Sequence, residues 1–270
     1  MKYRNHPLHA VLLAGVTALT ACGGGGGGDS NPAPASSTAG TTSPDSSATP
    51  PVSSSDVRGL WRSGGIRQVV EMVTFAEGTA WGIYTEGSNL LAGGFFRLQG
   101  SVAGATVQGT ATDFNMDGGG ITRPTIQADV TPRQRLAATV AGSRVASFQA
   151  TYAPAFEQAP SLPLLAGTFH GELNAVFASN GLRSTASVTV DANGALSGSA
   201  LMGCSYTGSL KPRTDGDAFD VTLFLTGGNC QDIGAVAGIA WYNRDNTALN
   251  IAATSSREHV GVKFLVIRGT

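Results

Sequence analysis

Three oxygen-bearing side chains alternate along the chain at Asp113, Asn115 and Asp117, and a run of glycines follows from Gly118. This spacing matches the first half of a calcium-binding loop, in which carboxylate and amide oxygens ligate the ion. The second half does not match, because Pro124 stands where a bidentate glutamate is expected. The pattern therefore predicts only weak calcium binding by these three side chains. The alternative is a strand end followed by a glycine turn.

No other segment matches a common catalytic or metal-binding motif, since G-x-S-x-G, H-E-x-x-H and C-x-x-C are all absent. His170 and His259 lie on the first and last predicted strands of the second half, which a closed barrel would make neighbours, but surface positions are the simpler interpretation. Glu71, Glu77 and Glu86 lie near predicted turns, which indicates solvated positions rather than a paired acid and base. The sequence therefore predicts a protein that is not an enzyme.

The thiol of Cys22 follows an apolar stretch at the start of the chain. The first nine residues carry Lys2 and Arg4 but no acid, and residues 10–19 are too few to span a bilayer yet fit the core of a signal peptide. The segment Leu19-Thr20-Ala21-Cys22 resembles the lipobox that the lipoprotein signal peptidase cleaves. This resemblance implies that residues 1–21 are a lipoprotein signal peptide and that Cys22 takes up the lipid. The alternative is an ordinary signal peptide with an accidental cysteine.

Two further cysteines, Cys204 and Cys230, lie in the exported part. In an oxidising periplasm or at the cell surface, an even pair predicts a disulfide. Closing this loop stabilises the fold by roughly 3–4 kcal/mol in the chain-entropy model. Two separate buried thiols are the alternative.

Residues 22–55 contain six consecutive glycines followed by Ser, Thr, Pro and Ala. Such a segment buries too little apolar surface to offset its ordering entropy, and it is predicted to be a flexible tether. Loss of Lys2 and Arg4 with the signal peptide leaves 15 basic and 18 acidic residues, a net charge of −3. This charge argues against a nucleic-acid partner, which needs a basic surface.

The rest of the chain consists of short runs that alternate apolar and polar residues between Gly, Asn and Asp, and this pattern predicts an all-β fold. Trp61, Trp81 and Trp241 each lie in such a run and are predicted to be core or barrel-closing aromatics. An exposed aromatic binding platform is the alternative. The predicted strands are roughly 58–63, 66–75, 79–85, 90–99, 104–114, 122–130, 134–141 and 144–152 in the first half, and 166–176, 184–190, 195–201, 204–210, 217–226, 233–243, 247–254 and 259–268 in the second.

A proline-rich segment, residues 154–163, separates the two series of strands. Its prolines cannot continue a central strand, so the sequence predicts a linker there between domains 56–153 and 164–270. Each domain is expected to fold by itself as an up-and-down antiparallel meander. Because closure removes exposed sheet edges, two tandem eight-stranded β-barrels with interiors filled by side chains are predicted. Open β-sandwiches are the alternative.

The lipobox, the poly-glycine tether, the tandem β repeats and the segment Gly203-Cys204-Ser205-Tyr206-Thr207-Gly208, with Cys230 downstream, resemble a group of little-characterised proteobacterial outer-membrane lipoproteins. The resemblance implies a membrane anchor through lipid on Cys22 in the outer membrane, with the domains facing the periplasm or the cell surface. Gly23 agrees, because an aspartate there favours inner-membrane retention in Gram-negative lipoproteins.

The functional prediction is a non-enzymatic lipoprotein that presents barrel loops to a protein or another envelope macromolecule. The alternative is a periplasmic inhibitor or immunity lipoprotein against a cell-wall or lipid-degrading enzyme. No cofactor is predicted apart from the weakly bound calcium.

Overall fold

The computed structural model describes residues 54–64, 68–86, 89–118, 120–143, 145–177 and 180–269. The predicted signal peptide, Cys22 and the tether as far as residue 53 lie outside the described residues. The described residues belong to one compact unit. Within this described part, none of the helices has the length and apolar character needed to cross a lipid bilayer.

The first barrel follows a 3₁₀ turn at Ser54–Val57 and closes in the order β1-β2-β3-β4-β5-β7-β8-β9, with β9 pairing back onto β1. All its pairings are antiparallel. The short β6 continues the line of β7, since both pair with β5. Its strands are β1 (Gly59–Ser63), β2 (Gln68–Thr74), β3 (Ala80–Glu86), β4 (Asn89–Ala103), β5 (Thr106–Asn115), β6 (Gly120–Thr122), β7 (Thr125–Thr131), β8 (Arg135–Ala141) and β9 (Phe148–Tyr152).

The second barrel begins after a 3₁₀ turn at Pro154–Glu157 and the helical turn α1 (Leu162–Leu165). It closes through pairing of its first and last strands, β10 and β17. Its strands are β10 (Gly167–Phe177), β11 (Asn180–Val190), β12 (Ala195–Ala200), β13 (Cys204–Pro212), β14 (Phe219–Thr226), β15 (Gly234–Asn243), β16 (Ala248–Thr254) and β17 (Val260–Arg268), with a 3₁₀ turn at Gly228–Cys230. Two closed antiparallel eight-stranded barrels in tandem confirm the predicted fold.

Alternation along the strands fills both barrels with apolar side chains. In β14, Val221, Leu223 and Leu225 are buried, whereas the residues between them are exposed. Each barrel has its own cluster of buried hydrophobic residues. Trp61 and Trp241 are fully buried and Trp81 nearly so, which confirms the prediction that the tryptophans are core residues.

Candidate functional site

The outer faces of the two barrels pack together and form an apolar junction. On the first barrel, Ile83, Phe95 and Phe114 lie in one row across β3, β4 and β5. The Phe95 and Phe114 rings stack with centroids 4.5 Å apart. Gly261 of β17 lies against them, because a Cβ there would stand 2.2 Å from the Phe114 ring. Trp241 of β15 belongs to the same buried cluster. We call these facing surfaces, the outward sides of β2–β5 and of β15–β17, the docked walls.

One carboxylate connects the docked walls by hydrogen bonds. Glu71 of β2 accepts hydrogen bonds from Trp241 Nε1 at 2.9 Å, Asn243 Nδ2 at 2.9 Å and Asn250 Nδ2 at 3.1 Å. Its Oε1 also lies 3.0 Å from Arg62 Nε. The prediction that Glu71 is solvated is therefore wrong. The reason is that its strand faces the other barrel, so an outward position is not a solvent position.

A second carboxylate, Glu258, joins the turn between β16 and β17 to the first barrel. Arg97 Nη1 donates to it at 2.9 Å, and Thr112 and Arg123 also donate to it. Burial by itself would raise the pKa of the Glu258 carboxyl, but these hydrogen bonds and the charges of both arginines outweigh it, so the pKa lies below its usual range. Glu258 has a φ of 53°, which is unfavourable for a residue with a side chain. The contacts across the junction hold it there.

Lys263 is the anomalous residue of the junction. It lies beside Ala252 on the outward side of β17, it is fully buried, and its Nζ has no hydrogen-bond partner among the described residues. Burial and the nearby charge of Arg183 lower the pKa of the Lys263 amine to about 8, while Asp117 and Glu172 act in the opposite direction. A buried amine without a partner destabilises the fold, so Lys263 weakens a junction that its neighbours stabilise.

A groove of about 790 Å³ lies between β3–β4 of the first barrel and β13–β16 of the second. Small residues line the side that belongs to the second barrel. Two aromatic side chains also line it: Trp81, which is 8% exposed, and Phe224, which is 54% exposed. Hydroxyl groups are the third component, from Thr79, Thr207, Thr222, Thr254, Ser255 and Ser256.

The charged residues of the groove are already paired. Arg213 Nη1 donates to Asp220 at 2.8 Å, and its Nη2 lies 3.9 Å from Glu77. The guanidinium also lies 3.9 Å from the centroid of the Phe75 ring. Arg97 lies over the Trp81 ring at 5.4 Å while it donates to the carboxylate of Glu258. The groove therefore presents hydroxyls and aromatic surface without an uncompensated charge.

A smaller cleft of about 420 Å³ lies where the proline-rich linker passes the loop between β13 and β14. Glu157 accepts hydrogen bonds there from Tyr152 Oη at 2.6 Å and Arg133 Nε at 2.8 Å. Burial and this bond to Glu157 raise the pKa of Tyr152 to about 12. The bonds lower the pKa of the Glu157 carboxyl. These groups are engaged with one another, which is typical of a structural cluster.

The three predicted calcium ligands have different protein partners. Asp113 is buried and accepts hydrogen bonds from Tyr84 Oη at 2.8 Å and Ser143 Oγ at 2.5 Å. Burial raises the pKa of the Asp113 carboxyl, although these hydrogen bonds act against the rise. Asn115 Oδ1 accepts a hydrogen bond from the backbone amide of Asp117 at 2.9 Å, and Asp117 Oδ2 accepts one from the backbone amide of Gly93 at 2.6 Å.

Calcium binding stays a prediction, and the ion would have to compete with these bonds. Among the described residues, no group of three or more His, Cys, Asp or Glu side chains could hold a metal ion.

The predicted disulfide is present between Cys204 and Cys230, whose Cα atoms lie 5.2 Å apart. It joins the start of β13 to the 3₁₀ turn after β14. Next to it, the turn between β12 and β13 exposes Leu201 and Met202, with Leu201 83% exposed. The backbone amide of Asn229 donates to the Met202 carbonyl oxygen at 3.4 Å. The disulfide at Cys204 and the hydrogen bond to Met202 thus hold this apolar turn in place.

The two histidines do not form a pair. β10 and β17 are neighbours as predicted, but His170 lies opposite Ile267, whereas Val260, which follows His259, lies opposite Phe177. The register therefore places the histidines at opposite ends of the strand pair. The side chain of His259 contacts Ser255 Oγ at 3.4 Å, and no carboxylate orients it in the described part of the chain.

The junction and the groove were not predicted from the sequence. A usable signal was the loss of alternation in β16, where Ala248 and Ala252 stand at outward positions and all seven positions are buried. Comparisons of the chain with protein families, with curated proteins and with solved structures give no match.

Proposed function

We propose that this chain is a non-enzymatic lipoprotein of the cell envelope that binds another macromolecule through the groove between its barrels. The observation that carries the proposal is the groove itself, in which the exposed ring of Phe224 stands among hydroxyl groups. The barrel interiors are packed with apolar side chains, so a ligand has to bind outside them. Exposed aromatic side chains with few competing charges are typical of binding surfaces.

The proposal includes attachment to the outer membrane by lipid on Cys22, with the domains in the periplasm or at the cell surface. Several acyl chains on one cysteine give stable attachment, whereas a single chain gives marginal binding. The substitution Cys22→Ala tests this part. We expect it to abolish incorporation of a labelled fatty acid and to leave the protein unprocessed or soluble. Label retained by the variant would refute lipidation at this residue.

The groove is tested by sedimentation of the soluble Cys22→Ala chain with envelope fractions. We expect Phe224→Ala to reduce the bound fraction. Ile267→Ala is the matched control, because Ile267 is 55% exposed but does not line the groove. The proposal is contradicted if the Phe224→Ala variant, the Ile267→Ala variant and the chain without either substitution bind equally.

A second candidate function, inhibition of a cell-wall or lipid-degrading enzyme, is favoured by the turn that exposes Leu201 and Met202 beside the disulfide. A rigid apolar projection can enter the substrate cleft of an enzyme with little loss of conformational entropy. Lysozyme and phospholipase assays in the presence of the chain test this candidate. Inhibition that is lost in Leu201→Ser and kept in Phe224→Ala would favour it over the groove.

A further inference from the structure

The groove is electrically balanced. Its cations are Arg97 and Arg213 and its acids are Glu77 and Asp220, and the arginines already contact carboxylates within 2.8–2.9 Å. A charged ligand would have to break these pairs, which costs desolvation without a new opposite charge. The groove therefore fits an uncharged ligand.

The lining combines apolar faces with hydroxyl groups. The exposed ring of Phe224 supplies the apolar face, and the nearly buried Trp81 also belongs to the lining. Thr207 and Thr222 are exposed and supply hydroxyls that both donate and accept hydrogen bonds, whereas the buried Thr254 hydroxyl already donates to the Val260 carbonyl oxygen. A pyranose ring has the complementary arrangement, with C–H groups on its faces and hydroxyls around its rim. The volume, about 790 Å³, lies within the range of about 300–1,000 Å³ that is usual for small-ligand sites.

Sheet closure argues against an extended peptide as the ligand. A peptide strand gains affinity by adding to a free sheet edge, and both barrels are closed by pairing of every neighbouring strand. A peptide laid in the groove would bury backbone amides without a sheet partner, which is unfavourable. A sugar chain has no such repeating amide ladder to satisfy.

We propose that the groove binds a neutral oligosaccharide strand, with a sugar face on the exposed ring of Phe224 and sugar hydroxyls bonded to Thr207 and Thr222. This inference rests on the proposed function, since it names the ligand class of the same groove. It assigns to Phe224 the main apolar contact and to Trp81 a position where binding changes its environment.

Tryptophan fluorescence of a soluble chain that starts at residue 22 and carries Cys22→Ala tests the inference, with cellohexaose, maltohexaose and chitohexaose as probes. Trp61 and Trp241 are fully buried, so a ligand in the groove should change the emission of Trp81. We expect saturable binding of at least one probe and no fluorescence change in Trp81→Phe. Phe224→Ser should weaken binding at least about tenfold, the expected effect of losing one buried aromatic contact.

Leu201→Ser is the control variant, because it removes an exposed apolar side chain that does not line the groove, and it should bind as the unsubstituted chain does. Melting curves establish that all variants fold. No response to any of the three sugars, or equal affinity in Phe224→Ser, overturns the inference.

A further arm separates the two proposals. If an uncharged Ser/Phe hexapeptide changes Trp81 emission and the sugars do not, the ligand class is wrong and the groove remains the binding site. If no probe binds, and the Phe224→Ala variant sediments with envelopes to the same extent as the chain that keeps Phe224, both proposals fail.

Discussion

Two sides of the second barrel have the same strand geometry but differ in the burial of their outward side chains. In β16, within a docked wall, all seven positions are buried, whereas in β14 buried and exposed positions alternate strictly. The outward residues of β11–β14 form what we call the exposed wall. Its hydroxyl side chains are Thr185, Ser187, Thr189, Ser197, Ser199, Ser205, Thr207, Ser209, Thr222 and Thr226.

The difference between these walls shows that the inward faces of the strands specify closure of each barrel, whereas the outward faces specify the packing of the two barrels against each other. Inward residues need only be apolar and of suitable size for the barrel to close. The outward face then decides whether a wall meets water or protein. In the docked walls, outward residues are mostly apolar, small or paired across the junction, with Lys263 as an exception, whereas in the exposed wall many carry hydroxyl groups.

The largest expected effect comes from removing the carboxylate that connects the docked walls. Glu71→Ala leaves three side-chain donors, Trp241 Nε1, Asn243 Nδ2 and Asn250 Nδ2, without their acceptor. We expect the free energy of unfolding to fall by about 3–5 kcal/mol, because three buried side-chain donors lose their acceptor. Urea denaturation measures this change.

The control is Asp220→Ala on the exposed wall, which removes an ion pair to Arg213. Exposed pairs contribute about 0–1 kcal/mol, so this variant should lose little stability. Similar losses in both variants would show that the docked walls are not the more sensitive region.

The disulfide gives the next largest effect, at the end of the exposed wall. Replacing both Cys204 and Cys230 by Ala removes a constraint that spans 26 residues of sequence. We expect a loss of roughly 3–4 kcal/mol in the chain-entropy model. Reduction of the unsubstituted chain should lower its melting temperature, while the double variant should not respond to reductant. An unchanged melting temperature on reduction would mean that the bond does not restrict the unfolded chain as the chain-entropy model requires.

A substitution in the docked walls should also stabilise the protein. Lys263→Met keeps the length of the side chain and removes a buried amine that has no hydrogen-bond partner among the described residues. At neutral pH both the folded and the unfolded chain hold the proton, and the folded chain bears the cost of burying the charge. We expect the variant to be more stable by about 1–3 kcal/mol, since one pKa unit corresponds to about 1.4 kcal/mol.

The pH dependence identifies the amine as the cause. The pKa of Lys263 is lowered from 10.5 to about 8 in the folded chain, so between these values the unfolded chain binds more protons. Stability of the unsubstituted protein should therefore rise with pH across this window, and the advantage of Lys263→Met should shrink. A constant difference from pH 7 to above pH 10 would assign the effect to packing instead.

These contrasts also show what the sequence could and could not predict. Alternation placed the strands of both barrels, since a one-residue shift would turn every side chain to the wrong face, and the predicted export signal made a disulfide between Cys204 and Cys230 the expected pairing. The junction was missed because it depends on which outward faces meet, which is long-range information. Glu71 illustrates the limit: its strand pattern is that of a solvent-facing position, and the contact with Trp241 makes it a partly buried one.

The smallest expected effect on stability separates folding from binding on the exposed wall. Thr207 and Thr185 are both exposed on neighbouring parts of this wall, but only Thr207 lines the groove. Replacing either by Val keeps the β-branched shape that strands favour and removes one hydroxyl. We expect the free energy of unfolding of both variants to lie within about 0.5 kcal/mol of that of the unsubstituted chain, as is usual for surface substitutions.

Binding of an oligosaccharide, or sedimentation with envelopes, should weaken only in Thr207→Val. If Thr185→Val weakens binding to the same extent, the ligand lies across the wall and not in the groove. Because neither hydroxyl contributes measurably to stability, such a difference can be assigned to contact with the ligand.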